Sequence, residues 1–314
     1  MRATLATWRG EWRLHRYNRG SQIKYYNFWT DQRPEEMWFS RFILKHFDNI
    51  PKGIRLNFTS ILGAPSIIND RRPGHNIFYT GENIHADRFT AQRRCYESQR
   101  YDLSIGFDTE SDSHYMRLPL WVMWHFAPEA TLDDIRAQVE AMRHPTVGDR
   151  PRFCALVSSH DNGGLRGEIM DALAPLGQVD SAGRFRHNTD DLRLRCNDDK
   201  PRFLRQYRYN ICPENSDSPG YVTEKLFDAL LSGCLPIYSG SAGHPEPDVL
   251  NPECILQWTP GADNQPLLDK IKHLEQHPDE YRRLAAKPRL LEGAEERIWK
   301  YYTDLHNHLQ ALLQ

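Results

Sequence analysis

The sequence predicts an α/β protein built from two Rossmann-like domains. Three observations carry this reading. Strand-like and helix-like segments alternate from about residue 25 to residue 107, two βαβ-like units follow one another between about 153 and 238, and the stretch 207–238 reads as strand, polar loop, amphipathic helix and buried strand. The 314 residues are enough for two domains of ordinary size, placed at 1–148 and 149–314.

Residues 1 to about 21 are polar and aromatic without a clear period and read as an N-terminal extension. Strands are expected at Tyr25–Trp29, Ile54–Leu62, Asn76–Thr80 and Tyr101–Phe107, with a helix from Glu35 to Phe47. Thr131 is a plausible cap for a helix from Leu132 to Met142, and His144-Pro-Thr-Val-Gly-Asp-Arg-Pro151 is rich enough in turn formers to mark the domain boundary. Phe153–Ser158 then reads as a buried strand, Gly163-Gly164 lead into a helix over Leu165–Leu173, and a strand resumes at Gln178-Val179. Tyr207–Cys212 is a short strand, Pro213–Gly220 a polar loop, and Cys234–Tyr238 a second buried strand. Between them Leu226, Phe227, Leu230 and Cys234 recur at helical spacing, so a helix is expected from near Val222 to Gly233. Ile298, Tyr302, Leu305, Leu309 and Leu312 give the tail Glu295–Leu313 an apolar stripe, read as packing back across both domains; its polar face carries too few basic residues for a strong membrane-surface helix.

Composition excludes several classes. Forty basic residues nearly cancel 42 acidic ones, so no global field points to nucleic acid. No segment approaches the ~20 apolar residues of a membrane span, and the first ten residues lack the apolar core of a signal peptide. A cytoplasmic location, at most peripheral to the inner membrane, is the expectation. Cysteines at 95, 154, 196, 212, 234 and 254 are too scattered for a disulfide framework or a zinc site and read as buried free thiols. His273 and His277 have the spacing of a metal pair, but with no third ligand and Pro278 directly after, a solvated helix end is the reading. The absence of Gly-x-Gly-x-x-Gly disfavours a dinucleotide-dependent dehydrogenase.

The most informative residue is Lys225, which the expected helix places in its first turn. A helix N-terminus carries about half a positive charge, so a cation there is unfavourable by about 0.3–1 kcal/mol unless an anion shares the site. An anionic ligand would resolve the conflict, because free N–H groups at a helix start are ready phosphate donors and a lysine adds a point charge. In an open α/β sheet ligands gather at the carboxyl ends of the strands, which is where Glu214, Asn215, Tyr221, Glu224 and Lys225 would meet. A surface helix with merely solvated Glu224 and Lys225 accounts for the same local pattern.

Asn210-Ile-Cys-Pro-Glu-Asn215, followed by Tyr221-Val-Thr-Glu-Lys-Leu-Phe-Asp-Ala229 and Pro236-Ile-Tyr238, resembles the donor-binding signature of the α-1,3/4-fucosyltransferases, glycosyltransferase family 10, and length and domain order resemble the bacterial members. Phe78-Tyr-Thr-Gly-Glu-Asn83, Tyr101-Asp-Leu-Ser-Ile-Gly-Phe107, Arg117-Leu-Pro-Leu120 and Gly183-Arg-Phe-Arg186 are similar to family segments in the family's order, so the likeness spans roughly residues 21 to 258. It implies a GT-B architecture, with an acceptor-binding N-terminal domain, a donor-binding C-terminal domain and the substrate cleft between them. It further implies GDP-β-L-fucose as donor, an oligosaccharide acceptor of N-acetyllactosamine type, and inversion at the anomeric carbon to give a Lewis x-like α-1,3 linkage. The chain departs from many relatives at Ile84-His85-Ala86, which bears on acceptor recognition.

Such a transfer needs a base for the acceptor hydroxyl and a cationic clamp for the departing diphosphate. Glu82, where a strand runs into a glycine turn, is the expected base and matches the family's proposed one; a turn or cap role is the competing reading. The resemblance assigns Arg186 and Lys225 to the donor phosphates, Glu224 to the ribose, and Asn215, Tyr221 and Val222 to the donor pocket, with Arg184 an alternative to Arg186 on an extended segment. No Asp-x-Asp is present, so no metal is required and Mn²⁺ or Mg²⁺ is at most stimulatory; protein cations and the helix dipole neutralise the diphosphate. Two alternatives remain: a GT-B enzyme using another GDP-sugar such as GDP-mannose, and a glycan-binding protein without turnover, which loss of charge at position 82 or 225 would have favoured.

Overall fold

The computed structural model describes residues 13–28, 32–90, 101–109, 114–145 and 148–314. The chain divides into two compact units, Met1–Asp133 with Ile298–Gln314, and Asp134–Arg297. The sequence boundary at 148/149 thus lies within the second unit. The helix Leu132–Arg143 belongs there from Asp134 on, held by Arg143, whose guanidinium donates to Leu291 O and pairs with Glu295.

Each unit is organised on a five-stranded, wholly parallel sheet. In the first, β1 (Ile23–Tyr26), β2 (Leu56–Ser60), β3 (His75–Tyr79), β4 (Leu103–Gly106) and β5 (Tyr115–Arg117) lie side by side in chain order. Every residue of β2 and β4 is buried, as expected of parallel strands covered on both faces. Such strands lose the polar–apolar alternation, so the sequence marks where they are better than where they end. β1 is shorter than expected, and Trp29 lies outside the described residues. The helix expected at Glu35–Phe47 is split into a 3₁₀ turn, Pro34–Glu36, and an α-helix, Trp38–His46. The end of the supposed N-terminal extension is built into this unit: residues 13–17 are helical, Leu14 is buried, and Asn18 bonds the backbone of Tyr25 as a neighbouring strand would.

The second sheet contains β6 (Arg152–Leu156), β7 (Val179–Ser181), β8 (Tyr207–Ile211), β9 (Leu235–Tyr238) and β10 (Leu256–Gln257) in the order β10-β9-β8-β6-β7. The chain leaves β6 to one side for β7 and then returns to its other side for β8. This reversal creates a topological switch point between β6 and β8, with the helices Leu165–Leu173 and Glu224–Leu231 following those two strands. Ile169, Leu173, Ile271 and Leu274 bury helix faces against the sheet. The helices Lys200–Leu204, Gln265–Gln276 and Pro278–Ala285 were not assigned from sequence; Pro278 opens the last of these, while His273 stacks on His277 and bonds Glu280.

The helix expected at Val222–Gly233 spans Glu224–Leu231. Its end is set by Gly233, whose N–H donates to Leu230 O while that of Cys234 donates to Ala229 O. The terminal helix, Ala294–Leu313, buries Ile298, Tyr302, Leu305 and Leu309; from Ile298 on it belongs to the first unit, where the Tyr302 hydroxyl donates to Ala127 O. Among the described residues no helix is long and apolar enough to cross a membrane, and the described cysteines are free and buried. Cys95 lies outside the described residues.

Gly183 lets the loop after β7 approach the end of β6. A Cβ there would lie 1.9 Å from Ser158 O and 2.6 Å from Ser158 N. Because backbone must move to admit it, Gly183→Ala should cost about 1–3 kcal/mol in urea denaturation; wild-type stability would show that the loop yields freely.

Candidate active site

The loops at the switch point are tied together by Arg166, which sequence reasoning did not single out. Its guanidinium is buried and donates to Pro213 O at 3.2 Å and to Asn215 Oδ1 at 3.0 Å, both in the loop after β8. On the β6 side Asp161 accepts the N–H groups of Arg166 (3.1 Å) and Gly167 (2.8 Å), capping the helix Leu165–Leu173, and lies 4.0 Å from the Arg166 guanidinium. Burial pushes the Arg166 pKa down against the opposing pull of Asp161 and Glu214. The exposed Asn215 is therefore held by a fixed donor.

The start of the helix Glu224–Leu231 is governed by Glu214, whose side chain is fully buried. Its Oε1 accepts the backbone N–H of Thr223 at 2.8 Å; its Oε2 accepts the Thr223 hydroxyl at 2.7 Å and the Lys225 ammonium at 3.2 Å. The Tyr238 hydroxyl lies 3.5 Å from Oε1. Thr223 is drawn into extended geometry, which delays the helix from Val222 to Glu224 and leaves Val222 buried. Gly240 makes room for this carboxylate, because a Cβ there would be 2.8 Å from Glu214 Cγ and 2.7 Å from the Tyr238 hydroxyl.

The anion that the first-turn lysine requires is thus supplied in this structure by the chain's own Glu214, where the sequence pointed to an anionic ligand or to a solvated surface lysine. Lys225 also donates to Thr223 Oγ1 at 2.8 Å and lies 3.6 Å from Glu224. Two of the ammonium's three N–H groups are so engaged, and 21% of the side chain is exposed, leaving a path for a further acceptor. Burial alone would lower the Lys225 pKa, but Glu214 and Glu224 outweigh it and the net shift is upward. Glu224 is the mirror case: burial would raise its pKa, while Lys225 and Lys200 bring it below the usual value. Lys200 in turn pairs with Asp228 at 2.8 Å.

Arg186 does not lie on an extended segment beside Arg184. It occupies a turn with φ of +44°, and its guanidinium grips Asp171 through both nitrogens at 2.5 and 3.1 Å. The pair sits on the helix Leu165–Leu173, where Arg186 Nη2 would be 3.1 Å from a Cβ on Gly167. Arg184 is exposed. Asn215, Tyr221, Val222, Glu224 and Lys225 are therefore gathered at the loop and helix start after β8, with Arg186 on the β6 side of the same switch point. Tyr221 is buried, its N–H donating to Ser218 O.

Glu82 belongs to the first unit, directly after β3. Its backbone N–H donates to Thr80 Oγ1, and the Thr80 hydroxyl donates to Glu82 O, which fixes the turn. One carboxylate oxygen, Oε2, is held by Arg88 at 2.6 Å, and Arg88 in turn covers the Phe89 ring. Next to it, Asn83 Oδ1 accepts the N–H of His85, whose ring bonds Asp108 at 2.8 Å beyond the end of β4. Asp108, Arg166 and Asp171 were missed because their partners are 15 to 49 residues away; Arg88 and Asp161 act within six residues but belong to no periodic pattern, although Asp161 stands just before the Gly163-Gly164 helix entry.

Residues 23–124 match the family model described as the α-(1,3)-fucosyltransferase FucT N-terminal domain, and residues 149–290 the one described as the C-terminal region of glycosyltransferase family 10 (fucosyltransferase). α-(1,3)-Fucosyltransferase FucT of Helicobacter pylori is 27% identical over 289 residues, covering 81% of this chain and 57% of the relative. α-(1,3)-Fucosyltransferase B of Drosophila melanogaster is 26% identical over 247 residues, covering 70% and 54%. The chain spans about half the length of these relatives. A crystal structure of an α1,3-fucosyltransferase with GDP-fucose superimposes with a TM-score of 0.62 at 21% identity, over 93% of this chain and 90% of that one. The shared fold is of GT-B type.

Lys225→Ala should lower stability by about 2 kcal/mol, because it strips the cation from a buried carboxylate. The raised Lys225 pKa fixes the pH dependence: the difference from wild type should be constant below the ordinary lysine value of 10.5 and vanish as pH rises through the residue's own value. Denaturant titration of both proteins measures this, and unchanged or higher stability of the variant would return Lys225 to a solvated surface role.

Proposed function

The chain belongs to glycosyltransferase family 10, and on this basis we propose that it is an inverting α-1,3-fucosyltransferase moving L-fucose from GDP-β-L-fucose to the 3-hydroxyl of GlcNAc in N-acetyllactosamine-type glycans. The observation that carries the reading furthest is the switch-point arrangement, in which a partly accessible lysine at a helix N-terminus sits beside the loop holding Asn215 and opposite Arg186. This is a site for a doubly anionic leaving group. Lys225 and Arg186 take the diphosphate oxygens, Glu224 the ribose hydroxyls, and Asn215, Tyr221 and Val222 shape the pocket.

Glu82 accepts the proton of the acceptor hydroxyl as its oxygen attacks the anomeric carbon on the side opposite GDP. The C–O bond to the phosphate breaks with its electron pair moving to GDP, and the configuration inverts. With Oε2 bound to Arg88, the acceptor proton is assigned to Oε1. Charge developing on the β-phosphate is met by Lys225, Arg186 and the N–H groups of the helix start. Each of these cations already has a carboxylate partner, Glu214 or Asp171, so the incoming diphosphate shares or replaces it.

Glu82→Gln should reduce fucosyl transfer from GDP-fucose to N-acetyllactosamine by about 10²–10⁴-fold while GDP affinity stays near wild type. Near wild-type turnover would move the base to Asp87, or to Glu97, which lies outside the described residues.

If protein cations serve in place of a metal, activity survives EDTA, and Arg186→Ala weakens GDP binding about ten- to a hundred-fold while Arg184→Ala has a much smaller effect. Calorimetry and a chelator assay check both; complete, Mn²⁺-reversible loss of activity would contradict the cationic clamp.

A further inference from the structure

We propose that the exposed indole of Trp124 is the stacking platform for a pyranose ring of the acceptor glycan. The inference rests on the fucosyl-transfer reading above and names the residue that would hold the acceptor. Among the described residues, the large hydrophobic side chains left exposed are Leu44, Leu62, Trp124 and Leu194, and Trp124 is the aromatic one, 59% exposed. An indole of that exposure forgoes the burial that normally stabilises it.

Its position is specific. The helix Leu120–His125 begins just beyond the carboxyl end of β5, the same sheet edge from which Glu82 follows β3 and Asp108 follows β4. Trp121 and Val122 are fully buried, so they anchor the helix to the core. Leu120 lies on another face: its Cδ1 would be 3.2 Å from a Cβ on Gly81, the residue before Glu82. Trp124 is four residues on and therefore stands on that face, one turn further along. Helical side chains lean toward the helix N-terminus, which in this helix is the end where Leu120 meets Gly81.

The surroundings suit a sugar. The edge carries the His85–Asp108 pair at 2.8 Å and the Arg88–Glu82 pair, hydrogen-bonding groups of the kind that orient hydroxyls. A pyranose presents one face of C–H groups, weakly positive, that matches the negative face of an indole, and the ring is rigid enough to lose little entropy on stacking.

The test uses N-acetyllactosamine as probe on wild type, Trp124→Ala and Trp124→Phe. In Trp124→Ala, with the melting temperature unchanged, the acceptor KM should rise about tenfold while kcat and the GDP-fucose KM stay within about twofold, and Trp124→Phe should recover part of the loss. Calorimetric titration of N-acetyllactosamine into the GDP-bound proteins should show the same tenfold weakening, and this arm stands even if wild type transfers no fucose, an outcome that would sink the proposed reaction alone. An acceptor KM and affinity unchanged in folded Trp124→Ala would overturn the platform. So would an effect confined to self-association, read by sedimentation, or wild type failing to bind the probe.

Discussion

A buried negative charge, Glu214, stands against the N-terminus of the helix Glu224–Leu231, and the geometry around it is a consequence of keeping that charge satisfied. It takes the first backbone donor, the Thr223 hydroxyl and the Lys225 ammonium, so the helix starts where it does and the lysine is held in the one turn that a helix dipole disfavours for a cation. The opposite end is complementary. Arg150 donates to Ser232 O at 2.6 Å and Arg289 to Gly233 O at 3.3 Å, two buried guanidiniums at the negative end of the same dipole. A helix fixed electrostatically at both ends is a rigid mount for the lysine that the proposed reaction sets against a phosphate.

The same economy of charge recurs around the switch point. Arg166 faces Asp161, Arg186 grips Asp171, and Lys200 pairs with Asp228, so the cations there are positioned by carboxylates. Such a site does not collect anions indiscriminately, because a ligand gains only the difference between its own contacts and those it displaces. In the proposed reaction, a nucleotide diphosphate would offset that difference with its ribose and base. In the first unit Glu82 is treated alike: Arg88 occupies one of its oxygens, which fixes the carboxylate without consuming it.

Much of this was legible in the sequence because it is local. The Lys225 anomaly, the strand–loop–helix–strand run and the glycine turn before Glu82 are all written within a few residues, and the helices Leu132–Arg143 and Leu165–Leu173 fall within a residue of their expected ends. The pairings were not legible. Glu214 and Lys225 are eleven residues apart, Arg166 and Asn215 forty-nine, and no periodicity links them. Arg186 in left-handed geometry carries no local mark, since arginine has no preference for that region. The three-residue β5 is too short for alternation to show.

In the proposed reaction the donor's diphosphate occupies the start of the helix Glu224–Leu231 and shares Lys225 with Glu214. A crystal structure of the protein with GDP tests it most directly. A β-phosphate oxygen should lie within hydrogen-bonding distance of the Lys225 ammonium, with Glu214 still accepting the Thr223 N–H. A diphosphate bound away from this helix, with the Glu214–Lys225 pair untouched, would contradict it.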